Sequence, residues 1–235
     1  MSEKELPGPS ERRSFLARLS AGASALAVSA MAGISTAQGQ TAQTAPWRPE
    51  RHEKDDWLDK LPGKHRLVFD TTSPTGFGEA ILYANNFIRV NQNDYGLQNR
   101  DVAVVIGVRH NSTPFAYNDA IWTKYGMPLA LRTGFTDPKT NQAPKVNLYK
   151  AADYGPQLPN RGTTLDSILT LGAQLAVCQI ATRGIADALA QTTGQVSDTV
   201  YNELVANLVT NARMVPAGIV AVNRAQERGY SFARS

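Results

Sequence analysis

The chain has 235 residues, a formal net charge of +4 and a single cysteine, Cys178. Its lysines and arginines are scattered among acidic residues and form no basic stripe, so we expect no nucleic-acid partner. One cysteine cannot form an intrachain disulfide, so the hydrophobic core must hold the fold together. The length is sufficient for one domain that buries a substantial core.

The N-terminal segment has the features of a secretory signal. The motif RRSFL begins at Arg12 and matches the twin-arginine pattern, and a stretch rich in Ala, Ser and Gly follows it. This stretch is shorter than the roughly 20 strongly apolar residues of a membrane-spanning helix, so we expect no permanent span. The small residues STA end at Ala37 and fit a cleavage site. We therefore predict that residues 1–37 are a twin-arginine signal peptide and that the folded protein is exported to the periplasm or secreted.

The next segments are a polar arm and the first strand and helix of a domain. Residues 38–64 are polar, charged and contain proline, with Trp47 and Trp57 as large apolar side chains. We interpret them as an arm or linker that lies on the domain surface. The β-favouring stretch RLVFDTT then predicts a strand, and apolar residues at helical spacing over 77–88 predict a helix.

The middle of the chain contains a second strand and a long irregular segment. DVAVVIGV, over residues 101–108, is a nearly continuous apolar run, which is typical of a parallel strand covered on both faces. A helix is predicted over 116–125. The following segment, to about residue 162, contains five prolines and several glycines. It is too long for an ordinary connection, so we interpret residues 126–162 as an insertion or functional loop.

Regular patterns resume after this insertion. TTLDSILTLGA predicts a helix, QLAVC a strand that ends at Cys178, and IATRGIADALAQ another helix. Apolar residues repeat every four positions over 196–208, and ARMV, residues 219–228 and YSFAR predict a strand, a helix and a last strand. Five strands alternating with helices predict an α/β domain over residues 65–235. We expect a three-layer α/β/α sandwich around a mostly parallel five-stranded sheet.

Polar clusters follow three of these strands at the predicted carboxyl edge of the sheet, where open parallel sheets bind ligands. The candidate binding residues are Asp70 after the first strand, Arg109, His110 and Asn111 after the second, and Gln179 beside Cys178 after the third. Polar residues at strand ends also cap helices and close turns, so a purely structural role stays open. No spacing resembles a zinc site, a P-loop, a complete dinucleotide motif or a nucleophile elbow, so we expect no metal and no cofactor.

Cys178 is the candidate reactive group. It closes a strand and opens a helix, where backbone N–H groups stabilise a thiolate, and Arg109 or Arg183 could add positive charge. Free cysteine is also among the most buried residue types, so inert packing is the other interpretation. The spacing of residues does not decide between a reactive and an inert thiol.

Two stretches resemble the DsrE/DsrF-like family of sulfur-relay proteins. They are LGAQLAVCQIATRGI, which contains Cys178, and MVPAGIVAVNRAQERGYSF. Weaker similarity in RLVFDTT and DVAVVIGVRHN extends the resemblance over residues 66–235. It implies an oligomeric α/β sandwich in which Cys178 carries sulfur as a persulfide between donor and acceptor proteins or small polysulfides. It also implies that His110 shapes or protonates the cysteine site.

The chain departs from that family by its leader, its arm and its insertion. We expect a sulfur carrier, and a sulfurtransferase if the protein is an enzyme. The alternative is a non-enzymatic small-ligand binding or assembly module, in which Cys178 is buried and inert and a pocket forms around Asp70, Arg109, His110 and the insertion. A third possibility is a redox sensor that uses the same thiol.

Overall fold

A computed structural model describes residues 48–235, which contain five β-strands and seven α-helices. The strands are β1 (His65–Thr71), β2 (Val102–Val108), β3 (Gln174–Cys178), β4 (Ala212–Val215) and β5 (Ser231–Arg234). The helices are α1 (Trp57–Lys60), α2 (Pro74–Asn93), α3 (Asp119–Thr133), α4 (Leu165–Thr170), α5 (Gln179–Thr193), α6 (Ser197–Ala206) and α7 (Gly218–Gln226). The predicted signal peptide and residues 38–47 of the predicted arm lie outside the described residues.

The strands form one parallel sheet in the order β4-β3-β2-β1-β5, with helices on both faces. The predicted three-layer α/β/α sandwich is confirmed, and every strand pair in it is parallel. From β1 to β4, each strand is added to the sheet on the same side of the previous one. Right-handed crossovers therefore put the helices that connect these strands on one face. The return from β4 to β5 reverses direction and puts α7 on the second face. No helix in residues 48–235 combines the length and apolarity of a bilayer span.

Each face of the sheet has its own core, because successive side chains of a strand point to opposite faces. In β2, Val104 and Ile106 join the first core, which contains apolar residues of α2 to α6. Ala103 and Val105 join the second core, which contains apolar residues of α1 and α7. All seven residues of β2 are buried, as its continuous apolar run predicts.

Part of the predicted surface arm belongs to the second core. Trp57 and Leu58 are buried against residues of the sheet and of α7. The guanidinium of Arg66 donates hydrogen bonds to the carbonyl oxygens of Leu58, Leu61 and Gly63, at 2.9 to 3.0 Å. With nine residues, α7 is about 13 Å long and too small to cover five strands alone. The arm therefore completes the second layer.

The insertion begins later than the sequence predicts. Tyr125 has non-helical backbone angles and marks a kink, but α3 continues past it to Thr133. The rest of the insertion packs on the first face, where its Tyr149 hydroxyl donates to the carbonyl oxygen of Pro74 at 2.7 Å. An aromatic cluster anchors it there, formed by Phe77, Phe115, Trp122, Phe135 and Tyr149. The insertion is thus a packed part of the domain.

The burial of the arm makes a prediction about stability. Leu58 is fully buried, so Leu58→Ala should lower the free energy of unfolding by about 2–5 kcal/mol through lost contacts and a cavity. Leu131 is 77 % exposed, so the matched Leu131→Ala should change it by no more than about 0.5 kcal/mol. Urea unfolding followed by circular dichroism measures both. Equal effects of the two substitutions would contradict a core role for the arm.

Candidate functional site

Asp70, Arg109 and Cys178 share one face of the sheet at its carboxyl edge. Each follows by two positions a residue that faces α7, namely Val68, Gly107 and Ala176. Because side chains of an extended strand alternate between faces, all three candidates point to the α7 side. The structure therefore places these three candidate residues near one another at the carboxyl edge of the sheet.

The Arg109 guanidinium and the Asp70 carboxylate form a bidentate ion pair. The distances are 2.7 Å from Nε to Oδ1 and 2.8 Å from Nη2 to Oδ2. The side chain of Asp70 is 6 % exposed and that of Arg109 is 28 % exposed, so the pair lies at the boundary with solvent. The hydrogen bond to Asp70 raises the pKa of Arg109, burial opposes this, and the charges of Asp70 and Cys178 raise it further. Arg109 is therefore a permanent cation with a fixed orientation.

Gly218, the first residue of α7, lies between Arg109 and Cys178. A Cβ atom at Gly218 would lie 2.8 Å from the Cβ of Arg109 and 3.3 Å from the Cβ of Cys178. Real Cβ atoms do not approach another carbon as closely as the first of these distances, so only glycine allows α7 to start here. The helix start thus brings the arginine and the cysteine into one compact site.

Cys178 is the last residue of β3 and the N-cap of the 15-residue helix α5. Its backbone carbonyl accepts a hydrogen bond from Thr182 Oγ1 at 3.0 Å, and that hydroxyl accepts one from the Tyr117 phenol at 3.1 Å. Tyr117 is buried, and this burial raises the pKa of its phenol. Cys178 itself is 7 % exposed, so only a small part of it contacts solvent. The Cys178 carbonyl is therefore fixed by a hydrogen bond, and little of the residue is exposed.

The loop after β2 is organised by Ser112, which sequence analysis did not single out. Its hydroxyl accepts hydrogen bonds from the Arg109 backbone N–H at 3.0 Å and from Thr71 Oγ1 at 2.9 Å. His110 follows Arg109 with a positive φ of 56° and is exposed. The loop therefore fixes the backbone of Arg109 and leaves the imidazole in solvent.

The remaining candidates are not joined to Cys178 by hydrogen bonds. Within residues 48–235, the side chains of His110, Asn111 and Gln179 make no hydrogen bond to the cysteine or to the Asp70–Arg109 pair. Asn111 instead donates its backbone N–H to the carbonyl oxygen of Thr72 at 3.0 Å. The same residues contain no cluster of three histidine, cysteine or acidic side chains suited to a metal ion.

The buried side chains of the insertion pack on the face of the sheet opposite Cys178. These side chains, including Leu148 and Leu158, belong to the first core, whereas Cys178 faces α7 on the second face. Arg183, the other candidate source of positive charge, pairs with Asp198 and stacks on Tyr201. Arg109 is therefore the cation of the site.

Gly218 is a site residue that the sequence indicated only weakly, as a single glycine at a helix start.

Comparison of the chain with models of known families, with curated proteins and with solved structures finds no match. The resemblance to DsrE-like proteins therefore stays a prediction from the sequence.

The close approach at Gly218 makes a prediction with a matched control. Gly218→Ala should lower the free energy of unfolding by about 1–3 kcal/mol, because the new methyl group overlaps Arg109. Gly184 lies inside α5, and a methyl group added there would have its nearest neighbour, Arg132 Nη2, at 3.8 Å. Gly184→Ala should therefore raise stability, by up to about 1 kcal/mol, through better helix propensity. Urea unfolding of both variants measures the difference, and a stabilising Gly218→Ala would refute the tight contact.

Proposed function

We propose that the protein is an exported, DsrE-like sulfur carrier that holds sulfane sulfur as a persulfide on Cys178. The observation that carries the proposal is the contact of Arg109 and Cys178 with the same residue, Gly218, at the carboxyl edge of a parallel sheet. The buried carboxylate of Asp70 fixes the arginine there. The thiol also lies at the N-terminus of α5, whose partial positive charge favours an anionic sulfur.

The proposed chemistry is two thiol–disulfide-type exchanges. The Cys178 thiolate attacks the outer sulfur of a donor persulfide or polysulfide, a new S–S bond forms on Cys178, and the donor leaves as a thiolate or a shortened polysulfide. An acceptor thiolate then attacks the outer sulfur of the Cys178 persulfide and releases the Cys178 thiolate. Each broken S–S bond is replaced by another, so no external oxidant or reductant is consumed.

Arg109 has a defined part in this chemistry. Two of its nitrogens bind Asp70, and its Nη1 makes no hydrogen bond to another residue in the described part of the chain. The cation can therefore stabilise the negative charge on the outer sulfur of a bound polysulfide or of the Cys178 persulfide. We propose that exposed His110, in the adjoining loop, contacts the donor or acceptor at the entrance.

The limited exposure of Cys178 bears on the donor. With 7 % of the residue exposed, a narrow inorganic polysulfide reaches the sulfur more readily than a thiol on a rigid protein surface. A protein donor or acceptor would have to present its sulfur on an extended segment. Export by the twin-arginine route, predicted from the leader, and assembly of several copies belong to the same proposal.

The same burial favours the competing candidate, a binding or assembly module with an inert thiol. Free cysteine is a common core residue, and Cys178 is mostly enclosed. In that case the pair of Arg109 and Asp70 has a structural role only, because a carboxylate buried without a partner is strongly destabilising.

Sulfur loading tests the proposal. The folded protein, incubated with polysulfide and analysed by intact-mass spectrometry, should gain one or more sulfur atoms, and Cys178→Ser should gain none. Arg109→Gln should slow loading about tenfold, because it removes the cation that stabilises the anionic sulfur. Arg183→Gln is the matched control and should load at the wild-type rate, since Arg183 is engaged by Asp198 and Tyr201.

Two results would reject the carrier. One is a thiol that gains sulfur only after unfolding in urea, which would establish the inert interpretation. The other is a wild-type loading rate in Arg109→Gln, with circular dichroism showing an intact fold, which would remove the role of the cation.

A further inference from the structure

A cavity of about 700 Å³ lies between α3 and the insertion, on the first face of the sheet and away from Cys178. This volume falls within the usual range of small-molecule pockets, about 300–1,000 Å³. Its apolar lining includes the exposed side chains of Met127 and Leu131, with the buried residues Trp122 and Pro144 beneath them. The cavity has no role in the sulfur chemistry proposed above.

The walls of this cavity are held by specific contacts. A Cβ atom at Gly126 would overlap the carbonyl oxygen of Pro144, so glycine lets the insertion cross directly over α3. Thr123 Oγ1 donates to the carbonyl oxygen of Lys145 at 2.9 Å. The far wall is a turn closed by the Asp137 backbone N–H, which donates to the carbonyl oxygen of Gln142 at 2.8 Å. The cavity is therefore formed before any ligand arrives.

Two large apolar side chains of the lining are mostly exposed. Met127 is 64 % exposed and Leu131 is 77 % exposed, and their spacing of four residues puts them side by side on α3. Side chains of this size and exposure, next to each other and beside a cavity, are typical of a binding surface. They provide a site for the apolar part of a ligand.

The charged lining is entirely positive. Lys124 and Lys145 line the cavity, and no acidic residue does. Lys124 is paired with Glu203 at 2.7 Å, whereas Lys145 has no ion-pair partner within residues 48–235. The ammonium group of Lys145 is thus available to an anionic group of a ligand.

We propose that this cavity binds a small amphipathic anion, an apolar body that carries one carboxylate. The apolar body contacts Met127 and Leu131, and the carboxylate binds Lys145. The competing occupant is a second copy of the chain, because the same two side chains also border a groove of about 240 Å³ against α5. The acid-free lining and the wall built by the insertion favour the small anion.

Decanoate is the probe, with decanol as its uncharged analogue, and calorimetry of the full chain measures both. Decanoate should bind with one site per chain and more tightly than decanol. Lys145→Glu should weaken decanoate binding about tenfold and leave decanol binding unchanged, because only the carboxylate loses its partner. Lys64→Glu makes the same charge change at an exposed residue outside the cavity lining and should have no effect. Thr136→Trp, at an exposed lining position, should fill the cavity and abolish binding of both probes.

Three results would overturn the proposal. The first is no saturable decanoate binding up to its solubility limit. The second is equal weakening by Lys145→Glu and Lys64→Glu, which would mean a general charge effect. The third is a dimer in sedimentation analysis that Leu131→Lys converts to monomer, together with decanoate binding that Thr136→Trp leaves intact. Binding by Cys178→Ser should equal that of the wild type, which keeps this test separate from the sulfur-carrier hypothesis.

Discussion

The return of the chain from β4 to β5 is the constraint on which the rest of the structure depends. Strands β1 to β4 follow one another across the sheet in one direction, and the helices that connect them cover one face. The fifth strand lies on the other side of β1, so α7 must cross the second face almost alone. This crossing places the start of α7 at the carboxyl ends of β2 and β3. It therefore positions Gly218 against Arg109 and Cys178.

The same crossing explains why the arm is needed. Five strands span about 20 Å, and a single helix of nine residues covers only part of that width. Trp57 and Leu58 fill the remaining area, and Arg66 caps the carbonyl groups at the end of α1. Arg228 of the α7 C-terminal turn adds an ion pair to Asp59 at 3.0 Å. A segment that is polar on average is thus part of the layer that supports the cysteine site.

Opposite faces of the sheet separate two regions of chemical interest. The second face has the thiol and its arginine, fixed by a carboxylate that is too buried to remain unpaired. The first face has the insertion, which the aromatic cluster around Phe115 ties into the core. An insertion held in this way forms one wall of the cavity, on the opposite face of the sheet from Cys178. The proposed ligand binding at the cavity and the proposed sulfur chemistry at the thiol therefore involve different faces of the sheet and can be tested separately.

The sequence by itself determined the local features of this protein. The apolar runs identify all five strands. Cys178 is placed between a strand and a helix because the short apolar run of a strand ends there and apolar residues at helical spacing follow. Such features depend on neighbours a few positions apart, which patterns of hydrophobicity and turn residues report directly. The predicted helix ended at Tyr125, where α3 has its kink, but helical structure resumes after that residue and continues to Thr133.

Only the tertiary structure decided which distant residues meet. It places Arg109 near Cys178, because the first residue of α7 contacts both of them. Arg183 instead forms an ion pair with Asp198. The tertiary structure also buries Trp57 in the core and places the insertion on the opposite face from the thiol. These outcomes depend on the order of strands in the sheet and on the direction of each crossover. Neither produces a periodic pattern in the sequence. The candidate site residues could therefore be named from the sequence, but their contacts with one another could not be predicted.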